Sequence, residues 1–157
     1  MSDLEDNNSG PTRKMAAILA ADVVGYSKLM ATNEALTLKS LKETRLIIDR
    51  TIVKFKGRIF NTAGDSVMAE FASPVEAVES AVEFQKLLKN RNLSVNQTST
   101  IHFRVGINLG DIMIEKDNLF GDNVNIAARL ESIAIPGEIC ISEKVYQEIF
   151  NKVTTNF

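Results

Sequence analysis

Two aspartates stand where an apolar run gives way to a turn. Asp22 lies at the exit of MAAILAADVV, and Asp65 lies in the tight Gly64–Asp65 turn of RIFNTAGDSVMAEF. If the strand and the hairpin are neighbours, the two carboxylates converge. Two hard oxygen ligands together suit Mg²⁺ or Mn²⁺ held with a triphosphate, because such ions neutralise phosphate charge and acidify an attacking hydroxyl. Each aspartate also has an ordinary explanation, Asp65 as a turn former beside a glycine and Asp22 as a strand terminator. Asn125 and Arg129 are four residues apart and share a helical face. They can offer an amide and a guanidinium to a ribose and a phosphate, or simply form a solvated face. Arg104 lies mid-strand, opposite Phe103, Val105 and Ile107, and is read either as an exposed cross-strand residue or as a contact for a terminal phosphate.

The elements that must carry these residues follow from periodicity. MAAILAADVV reads as a strand buried on both faces. Gly25 breaks it, and a long amphipathic helix follows, with Leu38, Leu41, Ile48, Ile52 and Phe55 at helical spacing and Gly57 at its end. A hairpin surrounds Gly64–Asp65. SPVEAVESAVEFQKLL is a second helix, with Ser73 as N-cap, Pro74 in the first turn and Glu76 completing a capping box. IHFRVGINLG and DIMIEKD are read as two strands. FGDNVNIAARLESIA opens a third helix capped by Asp122, with Ile126, Leu130 and Ile133 as its apolar stripe. GEICIS is a strand and EKVYQEIF a short helix. The fold class is α+β, a ferredoxin-like βαββαβ core with additional strands and helices.

Composition narrows the function classes. The chain has 157 residues and a formal net charge of -2, which argues against a basic nucleic-acid surface. Its single cysteine, Cys140, forms no internal disulfide and fits a reducing, cytoplasmic setting, and the single His102 has no second His or Cys at metal-ligand spacing. No apolar run approaches the ~20 residues that span a bilayer. Residues 1–13 are acidic and polar and are read as a disordered leader, with 14–157 as one domain.

The blocks AADVVGYSKLM, NTAGDSVMAEF, FRVGINLGDIMIE and LFGDNVNIAARLE occur in this order. Together they resemble the class III adenylate and guanylate cyclase catalytic domain over about residues 14–150. The resemblance implies a dimeric lyase that closes ATP or GTP into a 3′,5′-cyclic monophosphate, with ATP the commoner substrate, using two Mg²⁺ or Mn²⁺ ions. It implies Asp22 and Asp65 as metal ligands, with Val23 beside them, and Val24, Gly25, Tyr26 and Ser27 as a loop around metal and phosphates. Arg104 matches a residue that contacts the terminal phosphates, Asn125 one that orients the ribose, and Arg129 one that stabilises charge on the α-phosphate. The metal set and the Asn/Arg set of one site are implied to come from different protomers of a homodimer.

Two departures bear on function. Adenylate cyclases usually place Lys and Asp at the positions held here by Asn61 and Asn118, where the purine edge is read. Lys only donates and an ionised Asp only accepts, which selects adenine, whereas an asparagine amide does either. Two asparagines accommodate both bases with weaker discrimination and weaker affinity. Family members also continue into strands that carry a phosphate-binding lysine, so a domain shortened at its C-terminus is expected. A degenerate domain that binds nucleotide or dimerises without turnover is the alternative reading.

Overall fold

A run of six buried residues, Ala16–Ala21, can satisfy its backbone only inside a sheet covered on both faces. It forms the middle of β1 (Thr12–Val23), which pairs antiparallel with β3 (Ser66–Phe71) on one side and β4 (Phe103–Glu115) on the other. The computed structural model describes residues 12–153. The expected leader lies outside the described residues as far as Pro11, while Thr12 and Arg13 already belong to β1. The sheet has the order β2-β3-β1-β4-β5, where β2 is Arg58–Ala63 and β5 is Asn118–Phe120, and β6 (Ile139–Ile141) runs parallel to β4. The α+β class and the βαββαβ core are therefore as the sequence leads one to expect.

The two faces are unequal. Ala17, Leu19 and Ala21 point into the larger core, with Val67, Phe71, Phe103 and Ile107. Two helices cover this side, α2 (Glu34–Lys54) with Ile48 and Ile52, and α3 (Pro74–Leu93) with Val78, Ala81 and Phe84. Ala16, Ile18 and Ala20 point the other way, into a smaller cluster with Val124 and Ala127 of one helix, α4 (Asp122–Ile133). A last helix, α5 (Glu143–Ile149), inserts Val145 and Ile149 into the larger core. No helix among the described residues is long and apolar enough to cross a membrane.

Local chemistry explains where the elements differ from expectation. The helix after Gly25 is two helices, α1 (Tyr26–Thr32) and α2, because Asn33 takes an extended backbone and its Oδ1 accepts from Leu36 N at 3.1 Å as an N-cap. Ser73 caps α3 as expected, accepting from Val75 N at 3.2 Å. The separate strands 101–110 and 111–117 are one strand, β4, whose thirteen residues pair with β1 along nearly its whole length. At the start of α4, Gly121 rather than Asp122 is the N-cap, and Asp122 stands in the first turn, where its charge suits the helix dipole. The buried side of α4 is Val124, Ala127 and Glu131, whereas of the expected apolar stripe Ile126 and Leu130 are half-buried and Ile133 is 72% exposed.

Candidate active site

Asp22, the last residue but one of β1, lies directly across from Arg104 of β4. The next residue, Val23, donates its N–H to Asp65 Oδ2 at 2.9 Å. Asp65 belongs to the turn between β2 and β3 and is thereby tied to a strand 42 positions away in sequence. The two aspartates thus meet at one end of the sheet, both half-buried. Val24 N donates to His102 O at 2.8 Å, and Gly25, at φ 66, turns the chain into α1, with Tyr26 half-buried and Ser27 exposed beside it.

A third carboxylate joins them. Glu131, 9% exposed, comes from the last turn of α4. Burial pushes its carboxyl up to about 8, helped by a hydrogen bond to Asp22 and by the charges of Asp22 and Asp65, against the opposing pull of Arg104. Glu131 escaped the sequence reading, although a signal existed: with Val124 and Ala127 it occupies one helical face, and it is the only charge of the three. It reaches the cluster because Gly106 of β4 lacks a side chain. A Cβ at Gly106 would lie 2.3 Å from Glu131 N and 2.5 Å from Ala127 O, so α4 rests its backbone on the strand.

The Asp22 and Asp65 carboxylates crowd a Glu131 carboxyl that keeps its proton at neutral pH, and a divalent cation there would relieve the repulsion between the two aspartates. Among the described residues no group of three or more His, Cys, Asp or Glu is arranged to enclose a metal. Asp22 and Asp65 with neighbouring backbone oxygens are the groups that could hold a hard ion such as Mg²⁺, with water and phosphate oxygens in its remaining positions. Arg104 is half-buried, and its Nε is buried with no partner among the described residues. A buried donor left unpaired is costly, and an incoming phosphate oxygen would satisfy it.

Asn125 and Arg129 are not brought to this cluster. Both are exposed on the outward face of α4, and Arg129 makes only a loose 3.9 Å approach to Asp122. Asn61 is exposed on β2, just past a register shift between Ile59 and Asn61, and Asn118 begins β5. These strands are opposite ends of the β2-to-β5 path, yet the sheet curls enough for Arg58 Nη2 to donate to Asp117 O at 3.0 Å. Asn61 and Asn118 therefore stand near the two converging edges.

The sequence pattern of the adenylate and guanylate cyclase catalytic domain matches residues 10–156. The chain belongs to this family. It is 41% identical over 146 residues to Putative adenylate cyclase 3 of Rhizobium meliloti (strain 1021), covering 92% of this chain and 25% of that protein. Among solved structures, an adenylate/guanylate cyclase/hydrolase from Silicibacter pomeroyi superimposes with a TM-score of 0.88 at 41% identity, over 94% of this chain and 87% of that one. The adenylyl cyclase CyaB from P. aeruginosa gives a TM-score of 0.78 at 26% identity, over 91% and 84%. The chain spans a quarter or less of the length of the first curated relatives it matches, such as the receptor-type guanylate cyclase gcy-23 of Caenorhabditis elegans, of which it covers 15%. In this chain Asp22, Asp65 and Arg104 gather at one end of the sheet, while Asn125 and Arg129 are exposed on α4.

Proposed function

We propose that this domain cyclises a purine nucleoside triphosphate, ATP or GTP, to the 3′,5′-cyclic monophosphate and pyrophosphate, for cyclic nucleotide signalling in the cytoplasm. The observation that carries the reading is the division of labour within one chain: Asp22, Asp65 and Arg104 gather at the sheet end, while Asn125 and Arg129 point outward from α4 with nothing to act on. A second copy of the chain, related by a two-fold axis, supplies what each set lacks and creates two sites. Asp22 and Asp65 would hold two Mg²⁺ or Mn²⁺ ions, which supply charge neutralisation and a more acidic 3′-hydroxyl. Arg104 Nε binds a terminal phosphate oxygen. The partner's helix holds the ribose through its Asn125 amide, so that the 3′-oxygen lies in line with the α-phosphate. Its Arg129 guanidinium donates to the α-phosphate oxygens as the 3′-oxygen bonds to phosphorus and the bond to pyrophosphate breaks.

Base choice falls to Asn61 and Asn118. Leu119 N–H donates to the Asn118 side chain at 2.9 Å, which fixes Oδ1 inward and turns the NH₂ outward as a donor. Asn61 makes no side-chain hydrogen bond among the described residues and is free to accept or donate. A donor at Asn118 suits guanine O6 as well as adenine N1, so both nucleotides are substrates on this reading. Asn61→Lys with Asn118→Asp is expected to sharpen the preference for ATP; an unchanged preference would remove these residues from the base pocket.

The deciding experiment mixes two inactive variants, Asp22→Ala and Arg129→Ala. Random exchange makes half of the dimers mixed, each with one intact site, so about a quarter of wild-type turnover with Mn²⁺ and ATP or GTP returns. No recovery, with the wild type itself active, would reject shared sites. No product from the wild type at high protein concentration would reject the cyclase reading. Nucleotide-dependent stabilisation in that case would support the second reading, a domain that binds without turnover, which Asn61 and Asn118 in place of charged base contacts favour.

A further inference from the structure

The helix that carries Asn125 and Arg129 is fixed at its start by an amide clamp that neither residue belongs to. Asn108 of β4, 3% exposed, donates through Nδ2 to the Asn123 carbonyl oxygen at 3.0 Å and to Asn123 Oδ1 at 3.1 Å. Asn123 Nδ2 in turn donates to Asp111 O at 2.9 Å. The Asn123 side chain lies flat over Gly110, where an added Cβ would come within 2.4 Å of its Cγ. One side chain therefore bonds to β4 on both sides of a residue that has no side chain to hold it off.

The backbone contact at Gly106 and the buried Glu131 set the depth of α4 and hold its C-terminal half, but little apart from the clamp fixes the rotation of its first turns. Its buried apolar side chains are only Val124 and Ala127, small groups that tolerate a turn about the helix axis. Hydrogen bonds are directional, and contacts between small apolar groups are not. With side chains at a radius of about 5–6 Å, a rotation of about 10° moves their ends by about 1 Å. A displacement of that size costs on the order of 10²-fold when the group acts on a transition state.

We infer that Asn123 is a positioning residue: clamped by Asn108 and Asp111 over Gly110, it sets the rotation of α4 and so aims Asn125 and Arg129 at the partner's nucleotide. The inference rests on the cyclase reading for its catalytic consequence, but its structural half is measurable without turnover. The test compares wild type, Asn123→Ala, Asn108→Ala and the double variant by steady-state kinetics with Mn²⁺-ATP and by hydrogen–deuterium exchange. For Asn123→Ala the expected kcat falls about 10- to 100-fold while KM changes less than about threefold. Exchange rises in residues 122–131 and stays unchanged in α3. Asn108→Ala gives the same pattern, and the double variant is no worse than the poorer single one, because both remove one device. Unchanged kcat, or unchanged protection of α4, would overturn the inference, as would a loss of protection spread over the whole sheet. If the wild type makes no cyclic product, the cyclase reading fails, and the exchange data alone decide whether Asn123 holds the helix.

Discussion

Replacing Gly106 by alanine adds one methyl group at the place where α4 rests on the sheet. The new carbon would lie 2.3 Å from Glu131 N, 2.5 Å from Ala127 O and 2.8 Å from Leu130 C. All three are backbone atoms, so no rotamer change removes the overlap. Gly106 does not use a left-handed conformation, and the substitution is otherwise compatible with a strand. Ordinary carbon contacts lie near 3.5 Å, so the C-terminal half of α4 must rise by about 1 Å. Such overpacking costs about 1–3 kcal/mol, which lowers Tm by about 3–10 °C for a domain of this size. The rise also withdraws Glu131 from Asp22 and moves Arg129, two residues away, by a similar distance. Turnover should then fall on the order of 10²-fold. Gly137→Ala is the control. Gly137 has φ 82, and a Cβ placed on it would meet nothing within 4 Å, so an alanine there costs about 1–2 kcal/mol of backbone strain without touching α4. Thermal denaturation and cyclic nucleotide production should separate the pair: both lose stability, and only Gly106→Ala loses most of its turnover. A Gly106→Ala protein with wild-type stability and rate would refute the view that close backbone contact places this helix.

Three further outcomes follow from individual contacts. Asp22→Asn should lower Mn²⁺-dependent turnover by at least about 10²-fold while leaving Tm equal or higher, because it removes one of two crowded aspartate charges; a lower Tm in metal-free buffer would count against that crowding. Ser73→Ala should cost about 1 kcal/mol through loss of the α3 cap, read from chemical denaturation, with kcat unchanged. Glu70 gives a pH signature. Burial pushes its carboxyl up, but hydrogen bonds from Lys14 (2.6 Å) and Arg58 (2.6 Å) outweigh this and hold it below its ordinary value of 4.5. A lowered folded value means stabilisation that is present above pH 4.5 and lost as pH falls through the folded value, so Glu70→Gln should flatten the acid side of a Tm–pH curve; an identical acid limb would show that the triad does not stabilise the fold.

What was legible in the sequence was whatever depends on neighbours along the chain or on a strand's two faces. The apolar run before Asp22 and the Gly64–Asp65 turn identified strand ends, and antiparallel pairing then placed both carboxylates at one end of the sheet. Ser73 with Pro74 marked a helix start for local reasons, and so did Asn33, whose cap was overlooked because TNEALTLK continues the same helical pattern without a breaker. By contrast, the orientation of α4 depends on how closely a helix and a strand approach, which no periodicity reports. Judged by hydrophobicity, Ile126, Leu130 and Ile133 should face the sheet. Gly106 and Gly110 present a groove instead, and the backbone beside Ala127 and the flat amide of Asn123 enter it more deeply than branched side chains could. That choice exposes Ile133 and buries Glu131, reversing the usual order for an isoleucine and a glutamate on one helix. It also leaves the Asn125 and Arg129 side chains exposed, where among the described residues they make no polar contact beyond the loose approach of Arg129 to Asp122. The same pair of glycines thus accounts for a carboxylate the sequence reading missed and for the outward presentation of the two residues it placed at the site.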